Sequence, residues 1–136
     1  MPGMRPADRV LVHQIHPAKI GADVTASLVS NVLLWQARPK AAIAVRVLLP
    51  LAGSAAVLRF ADLDALVRTG RGTYVLAHMP PSAQAVRLAG DALMGLGAYR
   101  HRCALIVAGA AVVVVGWSHA VWLSAAGREK PGAGRR

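Results

Sequence analysis

Residues 103–126 form an apolar run of 24 positions containing no Asp, Glu, Lys or Arg. Wound into a helix rising ~1.5 Å per residue, the run reaches ~36 Å, enough to cross a hydrocarbon core of ~30 Å. Arg100 and Arg102 precede it, and Arg128 and Lys130 follow. A small soluble domain must cover its surface with charge. Here 55% of the 136 residues are hydrophobic and 16% are charged. The pattern predicts a chain solvated by lipid.

A formal charge of +10 would point to nucleic acid in a soluble chain. In this one the basic residues punctuate apolar runs, as the flanking charges of membrane segments do. The bilayer is therefore the expected partner and nucleic acid is not. Cys103 is the single cysteine, which excludes an intrachain disulfide and a thiolate metal cluster; it reads as a small residue at a helix start. Residues 1–17 lack the pattern of a cleavable signal, because Asp8, His13, Gln14 and His16 interrupt any apolar core. The abundance of Ala, Arg, Val and Gly suggests a bacterial source.

Three further segments precede the long run. Residues 18–35 are entered through His16-Pro17, with proline suited to a first helical turn. After the break at 36–40, residues 41–60 form a second segment interrupted by Arg46, Pro50 and Arg59. Residues 61–81 are mixed in charge. Leu63, Leu66 and Val67 share one helical face, Gly70 and Gly72 read as helix-ending or turn positions, and a short interfacial helix is expected. Met79-Pro80-Pro81 should stop regular structure, leaving Ser82 as an N-cap. Residues 82–98 make a third segment whose Gln84, Arg87 and Asp91 form a narrow stripe, and the break at 99–102 joins it to the last helix.

The expected fold is an all-α integral membrane bundle of about four transmembrane helices in two hairpins, with residues 82–98 read as a span in preference to an interfacial helix, all one membrane domain over 1–136. Its parts are an N-terminal extension 1–17, a first hairpin 18–60, an interfacial connection 61–81, a second hairpin 82–126 and a basic tail 127–136. Laying Arg38 on Arg100 makes the two hairpins echo one another, as a duplicated unit would. Both termini then share one side with the larger number of Lys and Arg, which favours a multi-pass protein of the bacterial inner membrane with cytoplasmic termini.

Charges inside apolar helices are the best pointers to function, because each must be paired, hydrated or used. Lys19, Asp23, Ser27 and Ser30 fall on one face of the first helix, with Asn31 at its edge. Counted from the turns at ~1.5 Å per residue, Arg46 and Asp91 lie ~8 and ~10 Å deep, Asp23 and Arg87 ~18 and ~16 Å. Matching depths predict the interhelical pairs Arg46–Asp91 and Asp23–Arg87. The competing arrangement pairs Arg87 with Asp91 one turn away and lets Arg46 reach for the nearer interface. A third possibility makes Asp23 a proton- or cation-binding carboxylate.

Gly109 and Gly116 share a face of the last helix, and Gly53 offers a similar close-packing position on the second. Trp35, Tyr99, Trp117 and Trp122 suit interfacial belts. Among the histidines only His119 falls inside an apolar segment, and His13-x-x-His16 alone is a weak ligand pattern, so neither metal nor cofactor is expected. The break Gly95-Leu-Gly97-Ala-Tyr99-Arg100 before an apolar helix resembles the DoxX-like membrane proteins over residues 86–115. The His16-Pro17-Ala18-Lys19 entry and the long 61–81 connection depart from that pattern, and no function is carried over. Small size and small-residue helix faces favour a non-catalytic accessory, assembly or structural subunit of a larger membrane complex. The alternative is a small oligomeric proton-coupled transporter or channel using Asp23. A membrane enzyme comes third, for lack of a nucleophile or metal cage.

Overall fold

The computed structural model describes residues 5–78 and 80–127, with side chains described through Ser118 except at Pro81. Among the described residues seven α-helices follow one another: α1 (Pro6–Val12), α2 (Pro17–Trp35), α3 (Pro39–Phe60), α4 (Leu63–Val67), α5 (Gly70–His78), α6 (Pro81–Tyr99) and α7 (Cys103–Gly127), with a 3₁₀ turn at His13–Ile15. No strand occurs among the described residues. The basic tail beyond Gly127 and the side chains of His119 and Trp122 lie outside the described residues, as does Met79.

Two helical hairpins, α2–α3 and α6–α7, form the body, and α2 packs against α6 to join them. α2 begins with His16, whose Nδ1 accepts a hydrogen bond from the Ala18 amide at 3.2 Å, and with Pro17 at the first position. It ends in a Schellman turn. Ala37 adopts φ 54°, Arg38 N donates to Leu33 O at 2.8 Å and Ala37 N to Leu34 O at 3.0 Å. α6 ends the same way: His101 has φ 55°, Arg102 N donates to Gly97 O at 2.8 Å and His101 N to Ala98 O at 3.2 Å.

The equivalent hydrogen bonds correct the sequence-based register of the two hairpins. Arg38 matches Arg102, not Arg100, which lays Trp35 on Tyr99 and Pro17 on Pro81, each pair 64 residues apart. A basic residue is a poor ruler here because both turns contain two. The backbone geometry that closes each helix is a better one.

Only a helix presenting small residues lets a second backbone approach closely. A methyl group added at Gly109 would lie 2.5 Å from Gly90 O and 2.6 Å from Met94 Cγ; one added at Gly53 would lie 2.6 Å from Ala22 Cβ. Gly116 likewise faces α6, where an added Cβ would stand 2.8 Å from Arg87 Cγ. α3 runs as one helix through Pro50.

The remaining segments do not form a single surface-lying helix. α1, the 3₁₀ turn, α4 and α5 pack together over the end of the hairpins. Ile15, Val75 and Ala83 make one buried cluster, joined by Leu11, Leu66, Tyr74 and Trp117; Val12, Val57 and Leu63 make the other. Each such apolar side chain removed from water contributes about 1.5–3 kcal/mol, which is why the N-terminal extension folds instead of trailing. Two local expectations fail with it. Gly70 and Gly72 open α5, and a Cβ at Gly72 would collide with the Leu66 and Val67 backbone of α4. Pro80, not Ser82, is the N-cap of α6, since Pro81 already takes the first helical position.

Among the described residues one helix, Pro39–Phe60, is long and apolar enough to cross a membrane, with mean hydropathy 2.0. The apolar stretch Cys103–Ser118 of α7 is shorter. α2 and α6 fall below that mark; each carries two charged residues, Lys19 in the first turn and Asp23 further along in α2, and Arg87 and Asp91 near the middle of α6.

The Gly109 contact sets the α6–α7 spacing, so Gly109→Leu should destabilise the protein by about 1–3 kcal/mol through overpacking. Val107→Leu, at a position 68% exposed, should leave stability unchanged. Thermal unfolding of both variants in mild detergent checks the contrast.

Candidate functional site

α2 supplies most of the polar side chains between the helices, because Lys19, Asp23, Ser27, Ser30 and Asn31 recur along one face. They divide into two levels. Nearer the hairpin turns, Arg46 of α3 reaches between α2 and α6. Its Nε donates to Ser30 Oγ at 3.0 Å and stands 3.4 Å from Asp91 Oδ2; its Nη2 donates to Asn31 Oδ1 at 2.7 Å. Ser27 Oγ donates to the other oxygen of Asp91 at 2.7 Å, and Ser30 Oγ donates to Ser27 O at 3.1 Å. Gly95 makes room for the guanidinium: a Cβ there would collide with Arg46 Nη1. Three helices are thus tied by one side chain.

At the level nearer the cap, Lys19 pairs with Asp23 and also donates to Pro50 O at 3.2 Å. The Lys19 side chain is 8% exposed, so its ammonium depends on these two partners in place of water. Arg87 lies 3.9 Å over the Trp117 ring and donates to Gln14 Oε1 at 3.5 Å. Gln14 in turn donates to Gln84 Oε1 at 3.4 Å, and His13 Nε2 is 3.3 Å from Ser54 Oγ. Arg87 Nε and His13 Nδ1 are buried and find no hydrogen-bond partner among the described residues.

The structure brings Arg46 and Asp91 together across helices. It does not form the Asp23–Arg87 ion pair, although Asp23 acts on Arg87 electrostatically. Asp23 turns to Lys19 one helical turn away, and Arg87 turns to an aromatic face. Among the described residues Arg87 and Asp91 form no ion pair. Asn31, read at the edge of the polar face, joins the network; Gln14, Gly95 and Trp117 complete it and were not part of the sequence-based site. Gln14 sits in the extension, and Trp117 reads as an interfacial ring until α7 is packed on α6. Gly95 carries a signal of its own, a glycine inside a helix five positions from Gly90.

Chemically, this arrangement sets three cations, Lys19 buried and Arg46 and Arg87 half-buried, against two carboxylates and joins the hairpins through charge-assisted hydrogen bonds. No group of three or more His, Cys, Asp or Glu side chains comes together among the described residues. Compared with protein-family models, curated proteins and solved structures, the chain matches none.

Removing Asp91 strands a guanidinium that is 23% exposed. Asp91→Asn should therefore lower stability by about 3 kcal/mol. Adding Arg46→Gln should recover a large part of that loss, because an amide no longer needs a counter-charge. A double-mutant cycle from denaturant unfolding in detergent reads the coupling.

Proposed function

We propose that the chain is a small multi-pass membrane protein, with α2, α3, α6 and α7 as four spans and the α1/α4/α5 cap at the interface. It serves as a non-catalytic accessory, assembly or structural subunit of a larger membrane complex. The observation that carries the membrane reading is an inverted distribution of polarity. Lys19, Ser30 and the Arg46 network lie between helices, whereas Val24, Leu28, Val32, Ile43, Val47, Leu48, Leu51, Leu88, Val107 and Val114 are exposed on the outside. Water would penalise such a surface, and hydrocarbon does not.

Helix length agrees. At ~1.5 Å per residue, the four helices reach ~28 Å or more, close to the ~30 Å of a hydrocarbon core. The charged residues of α2 and α6 face other helices, which is where spanning helices place them. The composition supports a bacterial inner membrane. The excess of Lys and Arg on the terminal side supports cytoplasmic termini.

The subunit role rests on what the polar network is occupied with. Every carboxylate in it is engaged by a neighbour of this same chain, Asp23 by Lys19 and Asp91 by Arg46 and Ser27. This favours holding helices over carrying a cargo. The alternative, a small oligomeric proton-coupled transporter, would use Asp23, whose side chain is 34% exposed.

Purification in mild detergent separates the two. A stable heteromeric partner is the expected result. A homo-oligomer whose proton flux in vesicles disappears in Asp23→Asn would replace the subunit reading with transport. For topology, single cysteines at Arg38, Arg71 and Arg100 in a Cys103→Ser background should label with Arg38 and Arg100 on one side and Arg71 on the other.

A further inference from the structure

Both short breaks lie at one end of the molecule and touch. His101 Nε2 stands 2.9 Å from Trp35 O, and the two rings lie 4.5 Å apart. This contact gathers Arg38, Lys40, Arg100 and Arg102, all of them exposed, around His101. Residues 35–43 and 98–107 contain no Asp or Glu. The carboxylates of α2 and α6, Asp23 and Asp91, are already engaged. Among the described residues, four cations therefore share one end without a counter-charge.

The opposite end differs. There Asp8 pairs with Arg5 at 3.0 Å, Asp62 caps α4 through the Ala65 amide at 2.9 Å, and Asp64 lies in the same stretch of chain as Arg59, Arg68 and Arg71. Helix direction adds to the contrast. α3 and α7 both begin at the turn end, and α3 starts at Pro39 without a side-chain cap, so their amide dipoles point outward with the cations. α2 and α6 end here too, but their Schellman turns occupy the carbonyls of Leu33, Leu34, Gly97 and Ala98. Trp35 and Tyr99, 41% and 54% exposed, flank the cluster as amphipathic rings do at the headgroup level.

We propose that the paired turns form a docking surface for the phosphates of anionic phospholipid headgroups. The proposal rests on the membrane reading above. Guanidinium groups match phosphate in geometry as well as charge, and three of the four cations are arginines. Two turns this short offer no groove for a peptide, and a spanning helix sets its ends among headgroups already. The lipid is the partner at hand.

The test uses the full chain reconstituted in phosphatidylcholine vesicles, with spin-labelled phosphatidylglycerol or spin-labelled phosphatidylcholine as probe. Phosphatidylglycerol should associate about five-fold more strongly, the factor that one basic side chain at an anionic surface provides, and added salt should shrink the ratio. The ratio should fall at least two-fold in R38Q/K40Q/R100Q/R102Q and change less in R59Q/R68Q/R71Q at the other end. Equal association of the two lipids with the native chain overturns the proposal, whatever the fate of the variants. So does a preference that is undiminished in the turn variant or resists salt. Inorganic phosphate at matched ionic strength should not compete; competition would make this a free-anion site. An acidic protein lost only from the turn variant, with no lipid preference in the native chain, would reassign the surface to a protein partner. Release of the chain by alkaline carbonate would remove the membrane reading and this proposal together. Retention in the bilayer without lipid preference removes the proposal alone.

Discussion

One guanidinium fixes how the two hairpins meet. Arg46 enters from α3, reaches Ser30 and Asn31 on α2 and Asp91 on α6, and leaves no space for a side chain at Gly95. A charge withdrawn from solvent is tolerated only where its donors find acceptors. That demand sets the rotation of three helices at once. Ser27, Ser30 and Asn31 must turn inward with Asp91, and the remaining faces of α2 and α6 are left to Val and Leu. The apolar exterior follows from the polar interior.

The helices that meet there are held by two other devices. Glycine contacts bring α7 onto α6 and α3 onto α2, letting the helix backbones approach to van der Waals contact. Matching Schellman turns then reverse the chain within each hairpin. Gln14 meets Gln84 at one end and His101 meets Trp35 at the other, so α2 and α6 run in the same direction. Positions 64 residues apart face each other: Ser27 hydrogen-bonds Asp91, and Asp23 acts on Arg87. Equivalent sites carry unlike, complementary groups. Two hairpins within one chain permit this, whereas two identical chains would set like against like.

Much of this was legible in the chain, for reasons that differ by element. The four long helices announce themselves because apolar length and flanking charge are local properties. The Arg46–Asp91 level was readable from a count of residues, since helical rise is constant and both turns lie on one side. The cap was not readable. α1 and α5 are too short to stand alone, and their formation depends on Val57, Ala83 and Trp117 from distant parts of the chain. Asp23 was assigned to Arg87 because depth is visible in a sequence but azimuth between helices is not. At the same level Lys19 was nearer, one turn away on the same helix.

Sequence alone settled where the four long helices lie, that charged residues sit within apolar surroundings, and where the chain turns back. These depend on neighbours a few positions apart and on the fixed geometry of a helix. Tertiary structure decided which charge meets which partner, which glycines are contacts, and that the two basic turns lie side by side. Each of these depends on the rotation and spacing of whole helices, which is set by the sum of many contacts between distant segments and by no single local pattern.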